Sequence, residues 1–261
     1  MVSEQRILGE NDEAPYVLFN EEASSPYILT CEHAGYLIPD SLGDLGLPNN
    51  ELTRHIGWDI GIEPLALHLA EILDATLILQ YYSRLVIDCN RPRSSPDLVP
   101  MQSDGTNIPR NVGISDHHRG RRIEEIHDPY HRELEAVIDR RLSAGRTTAV
   151  VSLHSFTPKL RSEADSRPWD VGLLHDKDDR LTQVLSAMFR EAKPMLNIGV
   201  NEPYTVEPHT DMTIPVHGDN RGLMNLLIEI RNDHLSSGQV AEEWARLLAE
   251  MFVEALDNRN Y

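Results

Sequence analysis

The chain has 261 residues, enough for one large α/β domain with a full core. Its 42 acidic and 24 basic residues leave a net charge of −18. That argues against a general nucleic-acid binder, whose footprint is basic, and leaves room only for a local basic pocket. Cys31 and Cys89 lie in separate apolar runs outside any CxxC pair, as expected of reduced thiols in a cytoplasmic protein. Residues 1–25 lack a basic start followed by an apolar core. No apolar run approaches the length of a membrane span, so neither membrane nor nucleic acid is an expected partner, and the composition does not set an oligomeric state.

In chain order, residues 1–24 read as a loose lead-in. Tyr27–Cys31 reads as the first strand, delivering Glu32 and His33 into a loop punctuated by Pro39, Gly43, Gly46 and Pro48. A helix begins near Asp59, with Pro64 in its first turn and Leu65, Leu69, Ile72 and Leu73 at helical spacing. Thr76–Tyr81 is expected as a second strand and Leu85–Cys89 as a third, the latter delivering Asn90 and Arg91. Residues 93–118 hold Pro96, Pro100 and Pro109 and little periodicity, the pattern of a lid or binding loop. Arg119 to Ser143 is helical in pattern, with a kink expected at Pro129.

Ala149–Phe156 is a near-continuous apolar run ending in His154, Ser155 and Phe156, as a central parallel strand should. Val171–Leu174 and Ile198–Val200 are short strands around a helix at Leu181–Glu191. His217–Gly222 precedes a strand at Leu226–Ile230, and an amphipathic helix capped by Ser236 or Ser237 ends the chain. Strands alternate with helices almost throughout. The expected fold is therefore a single three-layer α/β domain over 1–261, with a mixed, mostly parallel sheet and helices on both faces.

Five strand ends carry polar, chemically capable residues: Glu32–His33, Arg84, Asn90–Arg91, His154–Ser155 and Glu229–Arg231. Such a fold gathers strand ends on one edge. Two imidazoles and a carboxylate match a catalytic zinc site with one open position, and a glutamate on another strand could serve as general base. Plainer roles stay open. Asp59 could cap its helix, Arg91 could pair with Asp88, and Glu229 could pair with Arg231. His127 and His131 stand four apart on a helical pattern, and their expected role is at the surface or in a substrate lid.

Taken together and in order, CEHAG, HIGWDIG, SRLVIDCNRP, VSLHSF and HGDNRGLMNLLIEIRND resemble the N-formylglutamate amidohydrolase family, from Tyr27 to the C-terminal helix. The family is similar in fold to zinc-dependent exopeptidases. The resemblance implies one Zn2+ per chain, held by His33, His154 and a carboxylate. The HxxE motif of carboxypeptidases is broken here, because Tyr36 stands where the glutamate would be. Asp59 is therefore the expected ligand and Glu32 its competitor. The resemblance also implies Glu229 as general base, Arg84 as oxyanion stabiliser and Asn90–Arg91 as a carboxylate clamp. His217 and Arg221 are candidates for a second carboxylate. The implied reaction is hydrolysis of N-formyl-L-glutamate to formate and L-glutamate, late in histidine degradation. Deacylation of another N-acyl amino acid, or non-catalytic binding of a small dicarboxylate, are the alternatives.

Overall fold

A computed structural model describes residues 6–257. Strands β1 (Val17–Phe19) and β2 (Tyr27–Cys31) come first, then a short helix α1 (Asn49–Leu52), helix α2 (Ile62–Leu73) and strand β3 (Thr76–Leu79). A two-stranded hairpin, β4 (Gln102–Ser103) and β5 (Thr106–Asn107), precedes helices α3 (Asp116–Arg122) and α4 (Asp128–Ser143). Strands β6 (Ala149–Phe156) and β7 (Val171–Leu174), helix α5 (Arg180–Ala192), strands β8 (Ile198–Val200) and β9 (Met224–Arg231), and helix α6 (Gly238–Asp257) complete the order.

Seven strands form one sheet in the order β1-β3-β2-β6-β9-β7-β8. The central pairs β3/β2, β2/β6 and β6/β9 are parallel, while β1 and β7 pair antiparallel with β3 and β9. Alternate residues face opposite sides of a strand. Leu29, Val151 and Leu153 accordingly pack with Leu65 and Leu69 of α2, Leu185 and Phe189 of α5, and Leu248 and Phe252 of α6. Ile28 and Val150 face the other way, against Ile126 and against Tyr130, Leu134 and Ile138 of α4. Each such buried side chain contributes roughly 1.5–3 kcal/mol. The result is the expected three-layer α/β domain, its sheet mixed and mostly parallel.

Local departures from the sequence reading have physical causes. Within the lead-in, Val17–Phe19 forms an edge strand on β3, while residues 1–5 lie outside the described residues. Leu85–Cys89 is not a strand. It is fully buried, but side chains rather than a neighbouring strand take its carbonyls. Asn111 Nδ2 donates to Leu85 O, and buried Arg122 Nη1 donates to Val86 O. His131 Nε2 lies 2.7 Å from Cys89 O, and His127 Nε2 lies 2.9 Å from Arg91 O. An apolar run with its backbone satisfied in this way has the composition of a strand without the ladder. His127 and His131 are consequently buried, not surface groups.

The long helix is α3, a π-helical segment at Ile123–His127, and α4. The wide turn lies immediately before Pro129, which stands in the first turn of α4 where its missing N–H is tolerated. Ser237 Oγ accepts from Val240 N–H and caps the last helix, as expected.

Candidate active site

The carboxyl ends of β2, β6 and β9 lie side by side at the centre of the sheet. β2 runs into Glu32 and His33. β6 and β9 are paired so that His154 stands directly opposite Glu229. Asp59 comes from the loop before α2. Its backbone N–H donates to the His33 carbonyl at 3.0 Å, which pins the loop to the end of β2. Gly61 then turns the chain into α2 at φ +81, with Leu235 packed where a Cβ would sit.

His33, Asp59 and His154 converge, with one ligand atom from each lying within 4.8 Å of the others. Asp59 Oδ2 is 2.8 Å from His154 Nδ1 and 3.4 Å from His33 Nδ1. The far nitrogen of each ring meets another carboxylate. His33 Nε2 is 2.7 Å from Asp88 Oδ1, and His154 Nε2 is 3.2 Å from Glu32 Oε2 and 2.9 Å from Ser152 Oγ. With a metal bound, an N–H at each Nε2 would donate to that carboxylate side and turn the Nδ1 lone pair toward Asp59, an arrangement typical of metal-binding histidines. Two lone pairs and an anionic oxygen facing one point repel unless a cation lies between them.

The electrostatics agree. Burial lowers the pKa of His154, yet its hydrogen bonds and proximity to Asp59 and Glu32 hold it well above the usual value. The cluster thus attracts one positive charge, and a divalent ion would supply it. Two imidazoles and a carboxylate are a donor set that suits Zn2+.

Glu32 sits behind His154 rather than among the converging atoms. It is fully buried and accepts from Ser152, Thr213 and Tyr130 hydroxyls at 2.9, 2.7 and 3.2 Å. Burial raises its pKa, but the His154 hydrogen bond and charge and the hydroxyl donors outweigh that and keep it ionised. Asp88 is likewise ionised despite burial, held so by His33 and Arg84.

Glu229 is 7% exposed, and its Oε2 has no hydrogen-bond partner among the described residues. Burial pushes its carboxyl up, the His154 charge pulls it back, and with Asp59 adding to the rise it stands at about 7. Room for this side chain depends on Gly172 of β7. A Cβ there would come 2.3 Å from the Glu202 carbonyl and 3.2 Å from the Glu229 Cβ. Arg231, the pairing partner that sequence offers Glu229, binds Asp170 and Asp233 instead.

His33, Asp59, Asp88, His154 and Glu229 line a cavity of about 710 Å³ together with Arg84, Asn90 and Arg91. Arg84 donates to Asp88 at 2.9 and 3.2 Å and to Asp59 at 3.3 Å. Arg91 Nη1 donates to the Thr210 carbonyl and to Asp211. Asn90 is committed on both sides: Nδ2 donates to Asp211 and Oδ1 accepts from Thr213 N–H. It clamps the 210–213 loop. Gln102, Ser103 and Asp104 of the β4–β5 hairpin form part of the wall.

Two expected site residues lie elsewhere. His217 is buried against His131, Nε2 to Nδ1 at 3.0 Å with the rings stacked, and does not line the cavity. Arg221 is drawn outward by Glu135 and Asp139. The candidacy of both for a second carboxylate is therefore withdrawn. The chain turns at Asp219–Gly222, so Arg221 stands at the amino end of β9, away from the edge that holds the site, while His217 packs behind that edge on the side of Glu32. Sequence reading also passed over Asp88 and Ser152 as orienting partners. The signals were there: Asp88 opens the DCNR run, and Ser152 shares a strand face with His154 at i, i+2.

A family model described as N-formylglutamate amidohydrolase matches residues 25–236. Among solved structures, the crystal structure of gene product Atu2144 from Agrobacterium tumefaciens is 35% identical with a TM-score of 0.93, the match covering 98% of this chain and 100% of that one. N-formylglutamate amidohydrolase from Ralstonia eutropha JMP134 is 20% identical with a TM-score of 0.67, covering 91% of this chain and 98% of that one. At that identity the likeness is one of fold. No curated protein matches the chain.

Proposed function

The chain belongs to the N-formylglutamate amidohydrolase family, and from that premise we propose that it is a zinc-dependent hydrolase of N-acyl amino acids, the class that includes N-formyl-L-glutamate. The observation that carries the proposal is the unpartnered carboxylate of Glu229 facing the His33–Asp59–His154 cluster across the β6/β9 register. A buried carboxylate left without a donor costs stability, and it makes sense as a group kept free to take a proton.

His33, Asp59 and His154 would hold one Zn2+, which supplies Lewis acidity and a nucleophile available at neutral pH. Glu229, with a pKa of about 7, accepts a proton from the attacking water. It then returns that proton to the leaving amine nitrogen as the carbonyl–nitrogen bond breaks, releasing formate and the free amino acid when the acyl group is formyl. Arg84, after His33, helps to keep Asp88 ionised, and it places positive charge beside the carbonyl oxygen as it becomes anionic. Arg91 receives the substrate's α-carboxylate through the edge of its guanidinium not taken by Asp211 and Thr210. The buried free thiols Cys31 and Cys89 suit the cytosol, where we place the protein. Among the described residues no helix is long and apolar enough to cross a membrane.

Formate release from N-formyl amino acids, measured before chelation, after it, and after Zn2+ is restored, tests the reading. Turnover should stop with the metal removed and return with it; full activity in metal-free protein would sink the proposal. Glu229→Gln should lower kcat by about 10²–10⁴-fold while leaving substrate affinity near the parent value. A non-catalytic binding protein would have no turnover to lose.

A further inference from the structure

Resting on the hydrolase reading, the charge around the site speaks to which N-acyl amino acid it takes. The cavity wall carries seven carboxylates, two arginines and no lysine among the described residues. Both arginines are already engaged. Arg84 uses Nε and Nη2 on Asp88 and Nη1 on Asp59. Arg91 uses Nη1 on Asp211 and the Thr210 carbonyl, its Nε lies 3.9 Å from Asp88, and its Nη2 makes no hydrogen bond among the described residues. One carboxylate can therefore be received, at Arg91.

Apart from Arg84, Arg91 and the histidines, the ionisable side chains of the wall that carry charge are all carboxylates. Beyond the metal cluster, Asp88 and Glu229, the wall holds Asp97, Asp104, Glu202 and Asp211. Asp104 is paired with Arg54 and Asp211 with Arg91. Asp97 and Glu202 have no ion-pair partner among the described residues. Arg221, the cation that sequence offers for a second carboxylate, is spent on Glu135 and Asp139 outside the cavity. A divalent ion in the cluster does not reverse the balance, because the carboxylates still outnumber the positive charges.

We infer that the site selects N-acyl amino acids with a single carboxylate and a neutral or cationic side chain, and disfavours a second carboxylate such as the side chain of N-formyl-L-glutamate. Clefts lined by one sign of charge focus that field on whatever enters. Specificity against a competitor is often built from such unfavourable juxtaposition.

N-formyl-L-glutamine and N-formyl-L-glutamate have nearly the same shape and differ by one charge, so their kcat/KM ratio on the zinc-loaded protein isolates the effect. N-formyl-L-lysine adds the cationic arm. The expected result is a preference of at least about tenfold for glutamine over glutamate, shrinking as ionic strength rises because salt screens exposed charge. Equal rates, or a preference for glutamate, overturn the inference while leaving the hydrolase reading intact. A glutamine preference unchanged by salt overturns it too, since the cause would then be shape or hydrogen bonding. Formate from none of the three compounds, with zinc bound, removes the hydrolase reading and the inference together.

Discussion

Each imidazole of the candidate site has two nitrogens, and the protein uses one of each for a carboxylate. His33 faces Asp88, and His154 faces Glu32. This leaves both Nδ1 atoms toward Asp59, and it separates the expected ligand Asp59 from its competitor Glu32. Glu32 is adjacent to His33 but orients the other histidine; Asp59, twenty-six residues away from His33, stands between both rings. The two roles predict different losses. Asp59→Ala should remove zinc binding outright, because it deletes one of three donors. Glu32→Gln should weaken zinc affinity by about 10–100-fold, the usual effect of an orienting partner. Competition with a chelator of known affinity measures both, and equal losses in the two variants would contradict the assignment. The histidines themselves were legible, since a polar ring at the end of a buried strand is an exception that composition exposes. The carboxylate was legible only as a preference for Asp59 over Glu32, because hydrogen bonding decides which oxygen faces the rings, and hydrogen bonding is set by the fold.

At the level of elements, the β6/β9 ladder is what brings His154 and Glu229 together. Eight registered pairs run from Ala149↔Met224 to Phe156↔Arg231, and a slip of one residue would turn one of the two side chains to the opposite face. Both strands were readable as apolar runs, but their adjacency was not: seventy-five residues of sequence separate the two functional groups. On the other side of β9, β7 must pass close to Glu229, and Gly172 is the position that allows it. Gly172→Ala forces backbone and side chain apart and should cost about 1–3 kcal/mol, with a lower melting temperature and reduced turnover because Glu229 is displaced. Gly120→Ala is the control. It lies in α3 with nothing within 4 Å of the place its methyl group would occupy, and alanine there should be neutral or stabilising by up to about 1 kcal/mol. If the two variants melt alike, close approach at Gly172 is not what the position requires. The element most misread from sequence, Leu85–Cys89, shows the limit of apolar patterning. A segment whose carbonyls are taken by Asn111, Arg122 and His131 is buried like a strand and pairs with none.

For the whole molecule, the buried ionisable groups make stability depend on pH in the metal-free state. Glu229 has a folded pKa near 7, above its ordinary 4.5. Its contribution is therefore fully present below about pH 4.5 and is lost as pH rises through 7, a change of up to about 3 kcal/mol. Asp59 and Asp88 are held low and act in the opposite sense, contributing above the ordinary carboxylate range and losing that only in strong acid. The expected outcome is that the melting temperature of chelated protein falls between about pH 5 and pH 8, and that Glu229→Gln falls by several degrees less over the same range. Parallel curves for the two proteins would show that Glu229 does not titrate there. The sequence alone determined the class of fold, most of the main strands and helices, the net negative charge and the polar residues at strand ends. These follow from composition and from periods of two and 3.6 residues, which act over short stretches of chain. Only the tertiary structure decided that Asp59 faces both histidines, that Glu32 and Asp88 stand behind them, that Glu229 Oε2 has no partner among the described residues, and that His217 and Arg221 lie outside the cavity. Those facts depend on which strands pair, and that is settled by burial and hydrogen bonding across the whole core rather than by any local pattern.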